Sequence, residues 1–147
     1  WEVGFNFPAM VKGQRTFTLR YTLSGVRQIE KYSDVDVLYF KFVQENTYPI
    51  RAFTMDLQFP NAGTADQLDA WLHCEAPGSL AIQGDTSLTV EADHIPGDDF
   101  LEMRLWMPPG SLLEARRQHD TPARQAIVQQ ETDWQLDWLN ASRYRFL

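Results

Sequence analysis

Three histidines, His73, His94 and His119, are the candidate bases for nucleophilic catalysis, with a serine or Cys74 as the nucleophile. Such catalysis needs a base beside the nucleophile and a third group that orients the base. His73 and Cys74 are adjacent in a segment with strand character, so their side chains point to opposite faces and cannot meet through local geometry. We interpret His73 as a buried or edge-strand histidine satisfied by one backbone hydrogen bond. The sequence therefore predicts no catalytic residue, and we expect that the protein is not an enzyme.

Acidic residues around the turn at 95–97 are the next group with possible chemistry. Asp93, Asp98 and Asp99 flank this turn together with His94, and hard cations such as calcium prefer several oxygen ligands held by a flexible loop. Their spacing matches no EF-hand loop, and solvated carboxylates beside a hairpin turn explain the same pattern. We predict no metal and no cofactor, with Asp93, Asp98 and Asp99 as the candidates if a metal binds.

Five tryptophans could provide stacking platforms for sugars, because an exposed indole face covers apolar sugar surface. Trp71 and Trp106 lie in predicted strands beside other apolar residues, which favours packing in the core. Trp134 and Trp138 are four residues apart, on one face of a predicted helix, where docking against the sheets is the simpler use. The pattern leaves the ligand-binding residues unknown. The candidates are Trp71, His73 and Glu75.

Length and charge limit the classes of protein to which the chain can belong. Its 147 residues and 17.0 kDa amount to one ordinary domain, and no apolar stretch approaches the length of a membrane span. A net charge of −7 repels phosphate backbones, which argues against nucleic acid as a partner. A single cysteine can form neither an internal disulfide nor a CxxC motif.

Alternation of apolar and polar residues predicts a mainly β architecture. The clearest period-two segments are 16–23 and 53–59, and segment 35–43 is apolar on nearly both faces, as expected for a central strand. Shorter candidates separated by turn residues occupy 69–75, 79–83, 87–92 and 100–107. About seven strands at this spacing predict an antiparallel immunoglobulin-like β-sandwich over residues 14–109.

After this β region the composition changes, and the remainder predicts one C-terminal α-helix at about 121–145. Thr121 is a suitable N-cap and Pro122 suits the first helical position. Ile127, Trp134 and Trp138 then fall on one helical face, which we expect to dock on the sandwich. We find no linker that would divide the chain, so residues 1–147 are predicted to be a single domain.

Several motifs follow one another in a recognisable order. They include Tyr32-x-Asp34 before an aromatic strand, a strand that ends in Pro60, and Glu102-x-Arg104 in a late strand. From about residue 13 onward the chain resembles the extracytoplasmic region of a family of uncharacterised predicted bacterial membrane proteins. That resemblance implies that the fragment was exported and belongs to a longer protein, which is anchored by membrane spans outside this chain. The family has no established catalytic residues to transfer.

These observations favour a non-catalytic binding or scaffolding module on the extracytoplasmic side of the membrane. Its partner is expected to be a protein or a cell-envelope component, and the acidic balance favours basic or neutral partners. An open strand edge would allow a partner's strand to add to a sheet. The alternative is a carbohydrate-binding or hydrolytic module that acts on cell-envelope polymers. The sequence does not determine the oligomeric state.

Overall fold

A computed structural model describes residues 13–14, 16, 28–44, 48–59, 64–112, 115 and 117–144. These residues form eight strands, one short 3-10 helix at Ala65–Gln67 and one long α-helix. The strands are β1 (Ile29–Lys31), β2 (Asp36–Val43), β3 (Ile50–Gln58), β4 (Asp69–His73), β5 (Gly78–Gln83), β6 (Ser87–Ile95), β7 (Leu101–Met107) and β8 (Arg117–Gln118). The helix α1 spans Arg124–Tyr144.

The strands form two sheets. The larger sheet has the order β4-β7-β2-β1-β8, and the smaller has the order β3-β6-β5. β2 occupies a central position between β7 and β1, as the apolar pattern of 35–43 predicted. The expectation of uniformly antiparallel pairing is wrong at one place, because β1 and β8 pair in parallel. Parallel strands need a long connection, and here strands β2–β7 lie in the chain between β1 and β8.

The main core lies between the two sheets. β7 contributes Leu101, Met103 and Leu105, which are fully buried, and β6 contributes Leu88 and Val90 from the opposite sheet. Both sets follow the period-two pattern of a strand whose alternate residues face the interior. The chain is therefore mainly β, with two layers around one apolar core and a C-terminal helix. The immunoglobulin-like topology stays a prediction.

Most strand predictions agree with the structure to within a few residues, and the differences have local causes. β6 continues to Ile95, three residues beyond the predicted end, because it keeps its pairing with β3. β1 and β8 were not predicted, since three and two residues are too short to show a periodic pattern. Segment 16–23, apart from Thr16, lies outside the described residues.

The loop that follows β7 is tied to the larger sheet by Asp36, which is fully buried. Its Oδ2 accepts a hydrogen bond of 2.9 Å from the backbone N–H of Leu112. Lys31 Nζ lies 3.8 Å from the same oxygen and donates to the Leu112 carbonyl. Burial of a carboxylate is tolerated where it is paired with a cation and hydrogen-bonded. This contact fixes the chain on its way from β7 to β8.

Helix α1 begins at Arg124, and its first turn is capped from a distant part of the chain. Asp34 Oδ1 accepts from the N–H of Ala123 at 2.7 Å, and its Oδ2 accepts from the N–H of Arg124 at 3.1 Å. A carboxylate is a strong N-cap because it satisfies free N–H groups and complements the helix dipole. The expectation that Thr121 caps the helix is therefore wrong, and Asp34 supplies the cap instead.

Candidate functional site

Helix α1 lies across the outer face of the larger sheet, opposite the main core. Ile127 packs there with Val35, Val37 and Trp106 in a second, smaller apolar cluster. Further along the helix the contacts become polar. The residues concerned, which we name the polar cluster, are Tyr39 of β2, His73 of β4, Glu102 and Arg104 of β7, and Glu131 of α1.

Strand pairing explains why these side chains meet. Trp71 pairs with Arg104 and His73 pairs with Glu102 across β4 and β7, so all four side chains share one face of the sheet. Tyr39 pairs with Arg104 from the other side. Because successive strand residues alternate between faces, the neighbouring residues of each strand are directed into the main core.

Short distances join the polar cluster into one network. Glu131 Oε2 lies 2.6 Å from His73 Nε2, and Glu131 Oε1 lies 2.6 Å from Arg104 Nη1. His73 Nδ1 lies 3.6 Å from Glu102 Oε1. Both nitrogens of the imidazole therefore face carboxylates, and both oxygens of Glu131 are engaged.

The burial of this network is unusual for charged groups. Glu131 is 3% exposed and His73 is 6% exposed, while Arg104 is partly open to solvent. The hydroxyl of Tyr39 donates to Glu102, and burial together with this hydrogen bond raises the pKa of Tyr39. Ionic groups that are buried need such partners, since an unpaired buried charge is strongly destabilising. The network thus joins α1 to the sheet.

The three residues predicted for ligand binding have different surroundings in the structure. Trp71 is partly buried, with its ring edge against Trp106 at 5.3 Å between centroids. His73 is buried on an edge strand as predicted, but carboxylates satisfy it instead of the expected backbone hydrogen bond. Glu75 lies beyond the end of β4, where it is exposed. Only Glu75 borders the groove described below.

The predicted acidic group around 95–97 does not converge. Asp93 is exposed near the end of β6, and Asp98 adopts a left-handed backbone with φ of 68°, which aspartate tolerates in turns. Asp99 is buried, and its Oδ1 accepts from the N–H of Phe100 at 2.7 Å. Within the described ranges, no three His, Cys, Asp or Glu side chains are arranged to hold a metal ion.

A groove of about 420 Å³ lies where α1 passes β4, which is an edge strand among the described strands. Trp134 packs against His73 with its ring tilted, at 4.6 Å between centroids, and Trp138 follows one helical turn later with 44% of its surface exposed. We name this feature the β4 groove. It is lined by Leu72, Cys74, Glu75, Ala76, Pro77, Gly78, Ser79, Leu80, Trp134 and Trp138.

Gly78 lies where the chain enters β5 after leaving β4, and the packing there leaves little room for a side chain. A Cβ atom added there would lie 2.9 Å from Leu72 Cδ2 and 3.3 Å from the Glu91 carbonyl oxygen. Cys74 is half-buried beside it and donates from Sγ to the Ala76 carbonyl at 3.2 Å. Burial and the nearby charge of Asp99 raise the pKa of the Cys74 thiol to about 11. The thiol is therefore neutral at ordinary pH.

A larger cavity of about 600 Å³ opens on the opposite side of α1. Its lining includes the cationic groups of Lys41 and Arg104. Both are already paired, since Lys41 Nζ lies 3.5 Å from Glu102 and Arg104 contacts Glu131. Tyr32 borders the same cavity, where burial and a hydrogen bond to Glu30 raise its pKa to about 12. The charged side chains that line this cavity thus already have partners inside the protein.

Helix α1 also carries most of the large exposed hydrophobic side chains in the described part of the chain. That part has seven such side chains, and five of them belong to α1. These five are Val128, Trp134, Leu136, Trp138 and Leu139. Helix α1 was predicted to dock on the sheets through its tryptophan face. It contacts the larger sheet through Ile127 and Glu131, whereas Trp134 and Trp138 lie at the border of the contact.

Sequence reasoning missed four members of the polar cluster: Tyr39, Glu102, Arg104 and Glu131. One signal was available, because Glu131 lies on the apolar face of the helix together with Ile127, Trp134 and Trp138. A second signal was the alternation of Glu102 and Arg104 with the buried residues of β7. Neither pattern shows which strand and helix meet, so the network could not be assembled from the sequence.

The fold and its helix-covered sheet define a β-rich domain of two layers. The chain belongs to the family described as predicted membrane protein (DUF2207), N-terminal domain, which it matches over residues 5–107. This membership agrees with the resemblance drawn from the order of the motifs. The match ends with β7, so α1 lies outside it. No curated protein and no solved structure matches the chain.

The domain thus comes from a predicted membrane protein. The only α-helix in the described part of the chain, α1, lacks the apolar content required of a membrane-spanning segment.

Proposed function

We propose that this chain is a non-catalytic binding or scaffolding module on the extracytoplasmic side of a membrane-anchored bacterial protein. The observation that carries the proposal is the concentration of exposed hydrophobic side chains on α1. Exposed apolar residues that occur singly are ordinary, whereas their clustering marks a surface that interacts with another molecule. Leu136, which is 53% exposed, and Leu139 lie on the side of α1 that the sheet leaves uncovered.

The polar cluster supports a structural use of the groups that could otherwise do chemistry. His73 is enclosed by Glu102, Glu131 and the ring of Trp134. A general base must reach a proton on a substrate, directly or through one water. The arrangement of His73 instead holds α1 in place, so the helix can present its outer side to a partner.

Membership of a family of predicted membrane proteins supports the anchored part of the proposal. The anchor would be formed by segments outside this chain. The net charge of −7 supports a basic or neutral partner, which would be a protein or a cell-envelope component.

Position-specific crosslinking tests the binding surface. A photoreactive amino acid is placed at Leu136 in the full-length protein in intact cells, and the matched control places it at Tyr48, which is exposed but distant in sequence from α1. We expect a discrete crosslinked product from position 136 that is absent from position 48. Equal labelling at both positions, or no product at either, would contradict the proposal.

Membrane sidedness is tested separately. A cysteine replaces the exposed Gln83 in a Cys74→Ala background, and intact cells are treated with a membrane-impermeant maleimide. An extracytoplasmic domain is labelled without permeabilisation. Labelling that requires permeabilisation would place the domain in the cytoplasm.

A carbohydrate-binding or hydrolytic role is the second candidate, favoured by the exposed indole of Trp138 beside Glu75 in the β4 groove. Purified cell-envelope polysaccharide is sedimented with the chain and with Trp138→Ala. Retention that is lost in the variant would support this alternative. Release of soluble sugar that requires the chain would show that the module is an enzyme and refute a non-catalytic role.

A further inference from the structure

We infer that the free edge of β4 binds an extended polypeptide strand, which lies in the β4 groove beneath Trp134 and Trp138. The inference rests on the proposed binding function and specifies its site and partner chemistry. β4 is an edge strand in the described part of the chain, where β7 is its neighbour in the sheet. An edge strand presents backbone N–H and C=O groups that can pair with another strand.

The hydrogen bonds of β4 identify the residues that would pair. In an antiparallel ladder, alternate residues direct both backbone groups away from the neighbouring strand. The N–H of Ala70 donates to its neighbour Asp69 at Oδ1, 2.9 Å away, which places Ala70 in the outward set. Because the period is two, Leu72 also belongs to this set. Leu72 borders the β4 groove, so its outward backbone groups face the groove, and no described strand pairs with them.

The groove is lined on both faces of the sheet edge. Leu72 and Leu80 belong to the apolar layer between the two sheets, whereas Trp134 and Trp138 of α1 lie over the outer face of the larger sheet. A strand added to β4 would direct alternate side chains to these two sides. The inner residues would contact the leucines, and the outer residues would contact the indoles. A groove that continues around a strand edge fits an extended chain with apolar residues on both faces.

Charge determines the rest of the partner chemistry. The carboxylate of Asp69 lies at the first residue of β4, where the side chain is exposed, and the whole chain carries a net charge of −7. The partner is therefore an extended peptide segment of another protein, with lysine or arginine flanking its apolar residues. Backbone pairing would supply affinity, and the side-chain contacts would supply specificity.

Two other occupants fit the groove less well. A sugar needs several free hydrogen-bonding groups around the aromatic platform. Here Cys74 already donates to the Ala76 carbonyl, and Glu75 already has a partner within the chain. Two copies of the chain, each with a net charge of −7, would repel one another when paired edge to edge.

The experiment selects a display library of random dodecapeptides with the purified chain and measures the affinity of the enriched peptides. We expect enrichment of peptides with alternating apolar residues flanked by lysine or arginine. Trp138→Ala should weaken their binding about tenfold or more, as expected for an aromatic side chain central to an interface. Tyr48→Ala is the matched control, because it removes another exposed aromatic ring outside the groove.

A backbone variant tests strand pairing directly. Ala70→Pro removes an outward N–H, which an edge strand tolerates, and Ala70→Ser keeps this donor at the same position. Binding should be lost in the proline variant and kept in the serine variant. Amide hydrogen exchange provides an independent readout, since a bound strand should slow the exchange of the Leu72 N–H. Circular dichroism of each variant shows that the fold is retained.

The outcomes separate this inference from the proposed function. Peptides that bind equally well to the tryptophan and proline variants would overturn the β4 site and leave the binding function intact. Absence of enrichment together with a crosslinked product at position 136 would do the same. Absence of both would overturn the inference and the proposed function together. Binding of polysaccharide, or dimerisation abolished by Ala70→Pro, would replace the peptide by a sugar or by a second copy.

Discussion

The two faces of β7 differ in how they hold their neighbours. On the inner face, Leu101, Met103 and Leu105 are completely buried against the second sheet. On the outer face, Glu102 and Arg104 contact Tyr39 of β2 and residues of α1. One strand thus contributes to an extensive apolar core and to a small ionic contact.

The difference has an energetic meaning. Apolar burial is non-directional and accumulates with area, so the two sheets are stabilised by many contacts of similar kind. The contact with α1 depends on Ile127 and on a few charged groups whose net contribution depends strongly on geometry. We therefore expect the sheets to unfold as a unit, whereas α1 can be loosened by single substitutions. Four predictions test this expectation.

The largest effect is expected in the core. Met103→Ala should reduce the free energy of unfolding by about 2–5 kcal/mol, because it removes buried volume that the surroundings refill only in part. Denaturant titration followed by far-UV circular dichroism measures the change. Met103→Leu is the control of similar volume and should cost less than about 1.5 kcal/mol. Similar stability of the alanine and wild-type proteins would contradict the proposed core.

A smaller and more local effect is expected at the polar cluster. Glu131→Ala leaves His73 and Arg104 without their shared carboxylate and should cost about 1–3 kcal/mol. Because the Trp134 ring packs against His73, the fluorescence of Trp134 should change in native conditions while the β signal is retained. Glu131→Gln keeps the shape and one acceptor and should have a weaker effect. Coincident loss of both signals would mean that α1 and the sheets form one cooperative unit.

The N-cap is expected to contribute about 1 kcal/mol. Asp34→Ala removes the acceptor for the first two N–H groups at the start of α1. Hydrogen exchange at Ala123 and Arg124 should become faster, with little change at the amides of β6 and β7. Asp34→Asn retains one side-chain acceptor and should restore part of the protection. Unchanged exchange in the alanine variant would show that the cap is dispensable.

The smallest effect concerns alkaline pH. Folding raises the pKa of the Cys74 thiol from its ordinary value of about 9 to about 11, so the unfolded chain loses this proton first as the pH rises. The contribution to stability is therefore complete below pH 9 and is lost between about pH 9 and 11. Cys74→Ala should reduce the slope of stability against pH in this interval. An identical slope in both proteins would contradict the buried, neutral thiol.

Much of the β architecture was predictable because a strand with one buried face records that burial in its own sequence. The predictions for 53–59 and 35–43 correspond to β3 and β2, and the long helix begins within three residues of its predicted start. The cap was predicted wrongly, because Asp34 is far from α1 in sequence. The polar cluster was missed for the same reason, since it combines three strands and a helix.

The order of the motifs also identified the family, and the family model confirms it. The candidate ligand residues stay a prediction, and the structure gives their surroundings. Trp71 is turned toward Trp106, and His73 is enclosed by carboxylates. Trp138, assigned to packing in the sequence analysis, is instead exposed beside a groove.

The amino-acid sequence by itself determined which segments become strands or helix and which residues of each face the core, because both depend on local periodicity. Only the tertiary structure decided which charged groups share a site and which strand lies at the edge of the larger sheet in the described part of the chain. Those properties arise from contacts between segments far apart in the chain, and no local pattern specifies them. The position of α1 over the larger sheet brought Glu131 to His73 and left Trp138 at the edge of β4.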